Sequence, residues 1–138
     1  MLLLVAAAGL TGNAWTGLPH LVSAVVGAAL IVAGGSLGAR GILDLGTSLT
    51  AFPRPRSESE LVTHGAYRLA RHPIYGGIIL GAWGWGLLTA ALPALAAAAF
   101  TTVFFDLKSR REEIWLAERY PDYPAYRAAT HRLIPWLY

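Results

Sequence analysis

Two short charged clusters carry most of the chemistry open to this chain. Arg68, Arg71 and His72 precede a pair of apolar runs, and Lys108, Arg110, Arg111, Glu112 and Glu113 follow it. The first cluster leads into RHPIYGG, residues 71–77, where a basic loop turns apolar within a few residues. Pro73 lacks an N–H and has a φ already near helical values, so it suits a first helical turn and makes His72 the cap. The N–H groups of Ile74, Tyr75 and Gly76 would then start a helix with its positive dipole end beside Arg71 and His72, which is an anion site. Gly76 and Gly77 permit close approach of a ligand to backbone. In the second cluster Glu112 and Glu113 project about 100° apart on a helix, so only one readily faces a site. Lys108 stands four residues before Glu112 and offers it another partner. The plain alternative is a surface pair of Lys108 with Glu112 and an Arg71 that merely flanks a membrane.

The elements that position these clusters follow from composition. With 55% hydrophobic and 14% charged residues in 138, and a mean hydropathy of +0.47, the chain reads as one polytopic membrane domain, 1–138, of the all-α class. Four apolar runs, about 1–12, 18–37, 74–92 and 94–107, form a membrane helical bundle with a C-terminal helical hairpin. The first run is short for a span, and it lacks the basic start of a signal peptide. In the second, Gly27, Ala28, Ala29, Ala33, Gly34, Gly35 and Ser36 invite close helix packing. From Arg40 to His72 polar residues with Pro53 and Pro55 predict a surface loop, with Ser57 and Glu60 at capping-box spacing for a short helix. Pro93 predicts a tight turn, and the fourth run should continue as helix through KSRREEIWLAERY, since no Gly or Pro intervenes before Pro121.

All eleven Lys and Arg lie in 40–72 or 108–138, and the eight acidic residues fall in the same segments or, for Asp106, just ahead of the second. The positive-inside preference then puts 40–72 and 108–138 in the cytoplasm, with the polar chemistry at one face of a cell (inner) membrane. A hairpin brings the two charged clusters within about one helix diameter, on the order of 10 Å. No cysteine is present, which removes thiolate chemistry and cysteine-bound metal, and four scattered histidines make no metal cluster. Basic residues that flank apolar spans report orientation, so no nucleic-acid partner is expected.

The ordered set RHPIYGG, an apolar hairpin, EEIWL, RYPDYPAY and RLIPW resembles the isoprenylcysteine carboxyl methyltransferase and phospholipid methyltransferase superfamily of integral membrane enzymes. LGTSLTAFPRP, from Leu45 to Pro55, is similar to its prokaryotic members. The resemblance implies an S-adenosylmethionine-dependent methyltransferase with its cofactor in a cytoplasmic pocket between the last hairpin and the C-terminal segment. Arg71, His72, Pro73, Ile74, Tyr75, Gly76 and Gly77 would meet the cofactor's carboxylate, and Glu112 or Glu113 its ammonium. Tyr126, with Tyr75, Tyr123 and Trp136, would wall its adenine and sulfonium. The implied acceptor is lipophilic, an isoprenylcysteine-like carboxylate first, among membrane lipids. Glu113 is the preferred acidic residue, and Arg132 would orient an anionic acceptor. An amine or thiol acceptor would need a base, with His72 or His131 to serve. The rival classes are a membrane-embedded NADPH-dependent reductase and a non-catalytic membrane subunit; the oligomeric state is not encoded in any motif. Topology is checked by cysteine labelling: Glu60→Cys and Ala125→Cys should both react from the cytoplasmic side alone, and reaction of the two from opposite sides would refute the arrangement.

Overall fold

The computed structural model describes residues 1–11, 14–46 and 61–138. The expected Pro53, Pro55 turn, the Ser57–Glu60 cap and the part of LGTSLTAFPRP after Gly46 lie outside them. Among the described residues every regular element is helical: α1 (Leu2–Ala8) with a 3-10 turn at Gly9–Thr11, α2 (Gly17–Leu45), a 3-10 turn at Gly65–Arg68, α3 (Pro73–Leu88), α4 (Leu92–Arg119) and α5 (Tyr123–Ala129). Pro73 opens α3 with His72 as its cap, and Pro93 stands in the first turn of α4. The chain reverses just before it, where buried Ala90 takes a φ of 48°.

Two helices, α2 and α4, are long and apolar enough to cross a membrane. The third run is shorter than expected: α3 stops at Leu88, and its sixteen residues rise about 24 Å. The first run gives a seven-residue helix, too short to cross. A second boundary also differs, because α2 continues past Arg40 to Leu45 where a loop was expected. Arg and Leu are good helix formers, Gly41 keeps α2 against Pro73 and Ile74, and Asp44 accepts the Ala66 N–H at 2.7 Å. The composition changes at Arg40, but the helix runs through the change without a break. The same holds in α4, which runs unbroken from Leu92 to Arg119 as the sequence predicts.

The α2–α3 contact is made by backbone. The buried residues of α2 are Gly27, Gly34 and Gly41, each two turns from the next. A Cβ at Gly34 would stand 2.6 Å from the Gly77 carbonyl oxygen, and one at Gly27 would stand 2.5 Å from that of Gly84. Ala28, Ala29, Ala33, Gly35 and Ser36 instead face outward, with Leu18, Leu21, Val25 and Val32 also exposed. In lipid no hydrophobic force drives helices together, so this close approach supplies the dispersion and Cα–H···O contacts that hold the pair. On α4 the buried stripe reads Ala94, Ala98, Thr101, Phe105, Ser109 and Glu113, spaced by three or four residues. It begins in small residues and ends in a carboxylate. Gly77→Ala would place a Cβ 2.5 Å from the Gly34 carbonyl oxygen, whereas Gly35 has open space. Gly77→Ala should destabilise by about 1–3 kcal/mol, and Gly35→Ala by little. Thermal unfolding in detergent measures both, and equal midpoints for the two variants would refute the backbone contact.

Candidate active site

Glu113 collects the charged side chains of three segments. Arg71, from the loop before α3, pairs with it at 2.7 Å between Nε and Oε1, the side chains being 7% and 3% exposed. The Arg71 Nη1 donates to the carbonyl oxygens of Arg127, at 3.0 Å, and of Thr130. Arg71 therefore ties α4 to the C-terminal segment. Arg132 Nε stands 3.4 Å from Glu113 Oε1, Arg127 Nε 3.5 Å from Oε2 and His72 Nε2 3.6 Å from Oε1. Burial pushes the Glu113 carboxyl up, but its contacts with His72 and the Arg71 guanidinium outweigh this and bring it down to about 2.

Glu112 faces the same site, contrary to the expectation that only one of the pair would. His72 enters between their two directions, with Nδ1 3.6 Å from Glu112 and Nε2 3.6 Å from Glu113. Glu112 also accepts the Tyr75 hydroxyl at 2.8 Å and pairs with Lys108 at 3.4 Å, while Lys108 donates to that hydroxyl at 2.8 Å. The Tyr75 ring stacks between His72 and Phe105, centroids 5.5 and 4.7 Å away. The expected Lys108–Glu112 pair is thus present, and Arg71 is a buried partner of Glu113 in place of a membrane-flank charge.

The C-terminal segment is fixed by backbone. The N–H groups of Arg71 and His72 donate to the carbonyls of His131 and Arg132 at 2.8 and 2.9 Å, a short parallel bridge. Gly76 lies directly beneath the Leu133 carbonyl, where a Cβ would overlap it, and Gly77 lies against Gly34 and Gly38. The close approach these glycines permit is to protein. The Gly76 N–H is also taken, by the His72 carbonyl at 3.0 Å. Pro73 is buried beside Gly41, and Ile74 is half-buried there. Tyr126 donates to the Tyr67 carbonyl at 2.6 Å, and Tyr123 is fully buried. Burial pushes both hydroxyls above their ordinary range, so they stay protonated.

A second network was not foreseen. Asp106 accepts Arg132 at 3.2 Å, Arg110 at 2.8 Å and the Tyr138 hydroxyl at 3.0 Å, and Arg110 also donates to that hydroxyl at 2.8 Å. The usable signal was Asp106 alone inside the apolar run, and the three- and four-residue spacing that leads from Phe105 to Glu113. Three buried polar atoms here lack a hydrogen bond: His72 Nε2, Arg132 Nε and Tyr123 Oη. Buried donors without partners are uncommon, and two of these flank one carboxylate. Such a set suits a ligand that carries both a carboxylate and an ammonium. Among the described residues no group of three His, Cys, Asp or Glu could hold a metal ion.

The phospholipid methyltransferase family model matches residues 22–123, which takes in most of α2, all of α3 and α4, and both glutamates. The chain belongs to the phospholipid methyltransferase family. This family of membrane-type methyltransferases accounts for an all-helical chain with apolar helices and a charged end. A probable protein-S-isoprenylcysteine O-methyltransferase of Oryza sativa subsp. indica is 30% identical over 118 residues, 81% of this chain and 61% of that protein. Methanethiol S-methyltransferase 1 of Bradyrhizobium diazoefficiens is 35% identical over 83 residues, 59% of this chain and 27% of that protein. The cobalt-zinc-cadmium resistance protein CzcN of Cupriavidus metallidurans is 34% identical over 83 residues, 59% and 38% of the two chains. The chain therefore spans at most 61% of the length of these relatives.

The Glu113 geometry sets a pH dependence. Its folded value, about 2, lies below the ordinary 4.5, so its contribution to stability is complete above pH 4.5 and disappears as pH falls toward 2. At neutral pH Glu113→Gln leaves Arg71 buried without its counter-charge, at a cost of about 3–5 kcal/mol. The stability gap between the native protein and Glu113→Gln should close through that acid window. A gap that is constant with pH, by chemical unfolding in detergent, would refute the ionised carboxylate.

Proposed function

We propose that this protein is an integral membrane methyltransferase that uses S-adenosylmethionine to methylate a lipophilic acceptor, an isoprenylcysteine-like carboxylate in the first instance. The observation that carries this reading is a pair of buried nitrogens, His72 Nε2 and Arg132 Nε, which stand 3.6 and 3.4 Å from Glu113 Oε1 without a close hydrogen bond, at the charged end of a methyltransferase-family hairpin. When bound, the cofactor supplies an electrophilic methyl group on a sulfonium. His72 and Arg132 would receive its carboxylate. Glu112, its side chain 12% exposed against 3% for Glu113, is the better partner for the ammonium. Glu113 holds Arg71 and Arg132 in place, so it is a positioning residue. Tyr126 would wall the adenine and sulfonium, since the faces of Tyr75 lie against His72 and Phe105.

Both His72 ring nitrogens face carboxylates, so no unengaged base stands at the buried site. That favours an acceptor that arrives ionised, as a carboxylate does near neutral pH. Arg132 would orient it, and positioning with exclusion of water would supply most of the rate. In this reading α2, α3 and α4 cross the inner membrane with their charged ends in the cytoplasm, and α1 packs beside the far half of α3 and α4, where Val5 meets Ala82 and Ala98.

Calorimetry with S-adenosylmethionine or its demethylated product tests the reading. Glu112→Gln should weaken binding roughly ten- to a hundredfold, the loss of one charge-assisted contact, with an unchanged unfolding midpoint. No heat from either ligand in a folded sample would refute it.

A further inference from the structure

On the side of α3 away from α4, a groove of 460 Å³ runs between α2 and the C-terminal segment. Ala33, Leu37, Leu80, Ile134 and Trp136 give it apolar walls, and among the described residues its one charged lining residue is Arg40. We propose that this groove holds one acyl chain of an anionic phospholipid from the surrounding membrane, with the headgroup phosphate on Arg40.

The direction of the groove fits such an occupant. Ala33 and Arg40 are two turns apart on α2, about 10 Å along the axis, with the cation at the basic end of the bundle and the aliphatic lining below it. A bilayer lipid has the same polarity along the same axis. Arg71, Arg110 and Arg132 are each paired with a carboxylate, whereas no carboxylate pairs with Arg40 among the described residues. Trp136, 80% exposed, stands at the groove as an interfacial aromatic with a φ of 61°. Its position is held by the Leu133 and Ile134 N–H groups, which donate to the Tyr138 carbonyl at 2.7 and 2.9 Å.

The C-terminal segment decides between a lipid and the methyl acceptor. Arg132 reaches Asp106 and Glu113 on α4, and the Leu133 carbonyl covers Gly76, while Ile134 to Trp136 form the groove wall. Residues 131–133 therefore stand between the groove and the Glu113 cluster. An occupant leans on the segment that fastens Arg71 and His72 without touching the charged site itself.

The test is lipid titration of the purified full chain in detergent, read by native mass spectrometry without cofactor, so its outcome is independent of methyl transfer. The native protein should bind one phosphatidylglycerol in preference to phosphatidylcholine. Arg40→Gln should reduce that preference about fivefold, the effect of one cation at a lipid surface, while Arg68→Gln, an exposed arginine outside the groove, should leave it unchanged. Ala33→Phe, on an exposed position of α2 that lines the groove, should weaken both lipids by filling its deep end. Equal losses in the two arginine variants, no preference in the native protein, or full binding in Ala33→Phe would each overturn the proposal. Displacement of the bound lipid, one for one, by a prenylcysteine mimic that the protein methylates would overturn it in favour of the acceptor.

Discussion

The charged end of this bundle depends on one buried carboxylate. Glu113 is 3% exposed, and three guanidinium groups and an imidazole lie within 3.6 Å of it. A lone carboxylate so deep would be driven to its neutral form, and the surrounding cations reverse that outcome. Those four groups come from three parts of the chain. Arg71 and His72 precede α3, Arg127 is in α5, and Arg132 follows it. The carboxylate thus fixes where the C-terminal segment lies, and that segment in turn covers Gly76 and completes the bridge to Arg71 and His72. Removing one member of such a cluster leaves a buried charge without its partner, so the cluster holds its members in place together.

The second constraint is steric. α2 touches the rest of the protein through glycines two turns apart, and the α3 glycines meet them carbonyl to Cα. This fixes the register of α2 against α3 without large side chains. It also sets where Asp44 and Arg40 fall. Asp44 reaches the Ala66 N–H, and Arg40 reaches the groove beside the 3-10 turn. A contact made of backbone leaves little room for sliding, since a one-residue shift would put an alanine or valine side chain against a carbonyl oxygen.

Much of the site was legible in the sequence because membrane proteins separate their polar chemistry so sharply. The His72 cap, the Pro73 start, the unbroken α4 and the meeting of the two charged clusters all follow from local rules. Three things did not. The helix past Arg40 was hidden because a polarity change reads as a loop even where a helix runs through it. The roles of Gly76 and Gly77 were hidden because a glycine at a helix start looks the same whether a ligand or a carbonyl approaches it. Asp106 was passed over because its partners, Arg132 and Tyr138, are 26 and 32 residues away and no local spacing joins them. The stripe on α4 was available, and it would have marked Glu113 as buried and Glu112 as the more open of the pair.

The order of the chain gives the Arg71 contact a consequence for biogenesis. Arg71 emerges 42 residues before Glu113 and 59 before the Thr130 carbonyl it also contacts. During vectorial synthesis the guanidinium is therefore made well before its counter-charge. Until α4 is made, this guanidinium lacks the carboxylate that later buries it and must be hydrated. When Glu113 arrives the pair is buried, and when residues 127–132 follow, Nη1 meets the Arg127 and Thr130 carbonyls. The contacts that order the site thus close last, so synthesis of the hairpin and assembly of the site are successive steps that one arginine links.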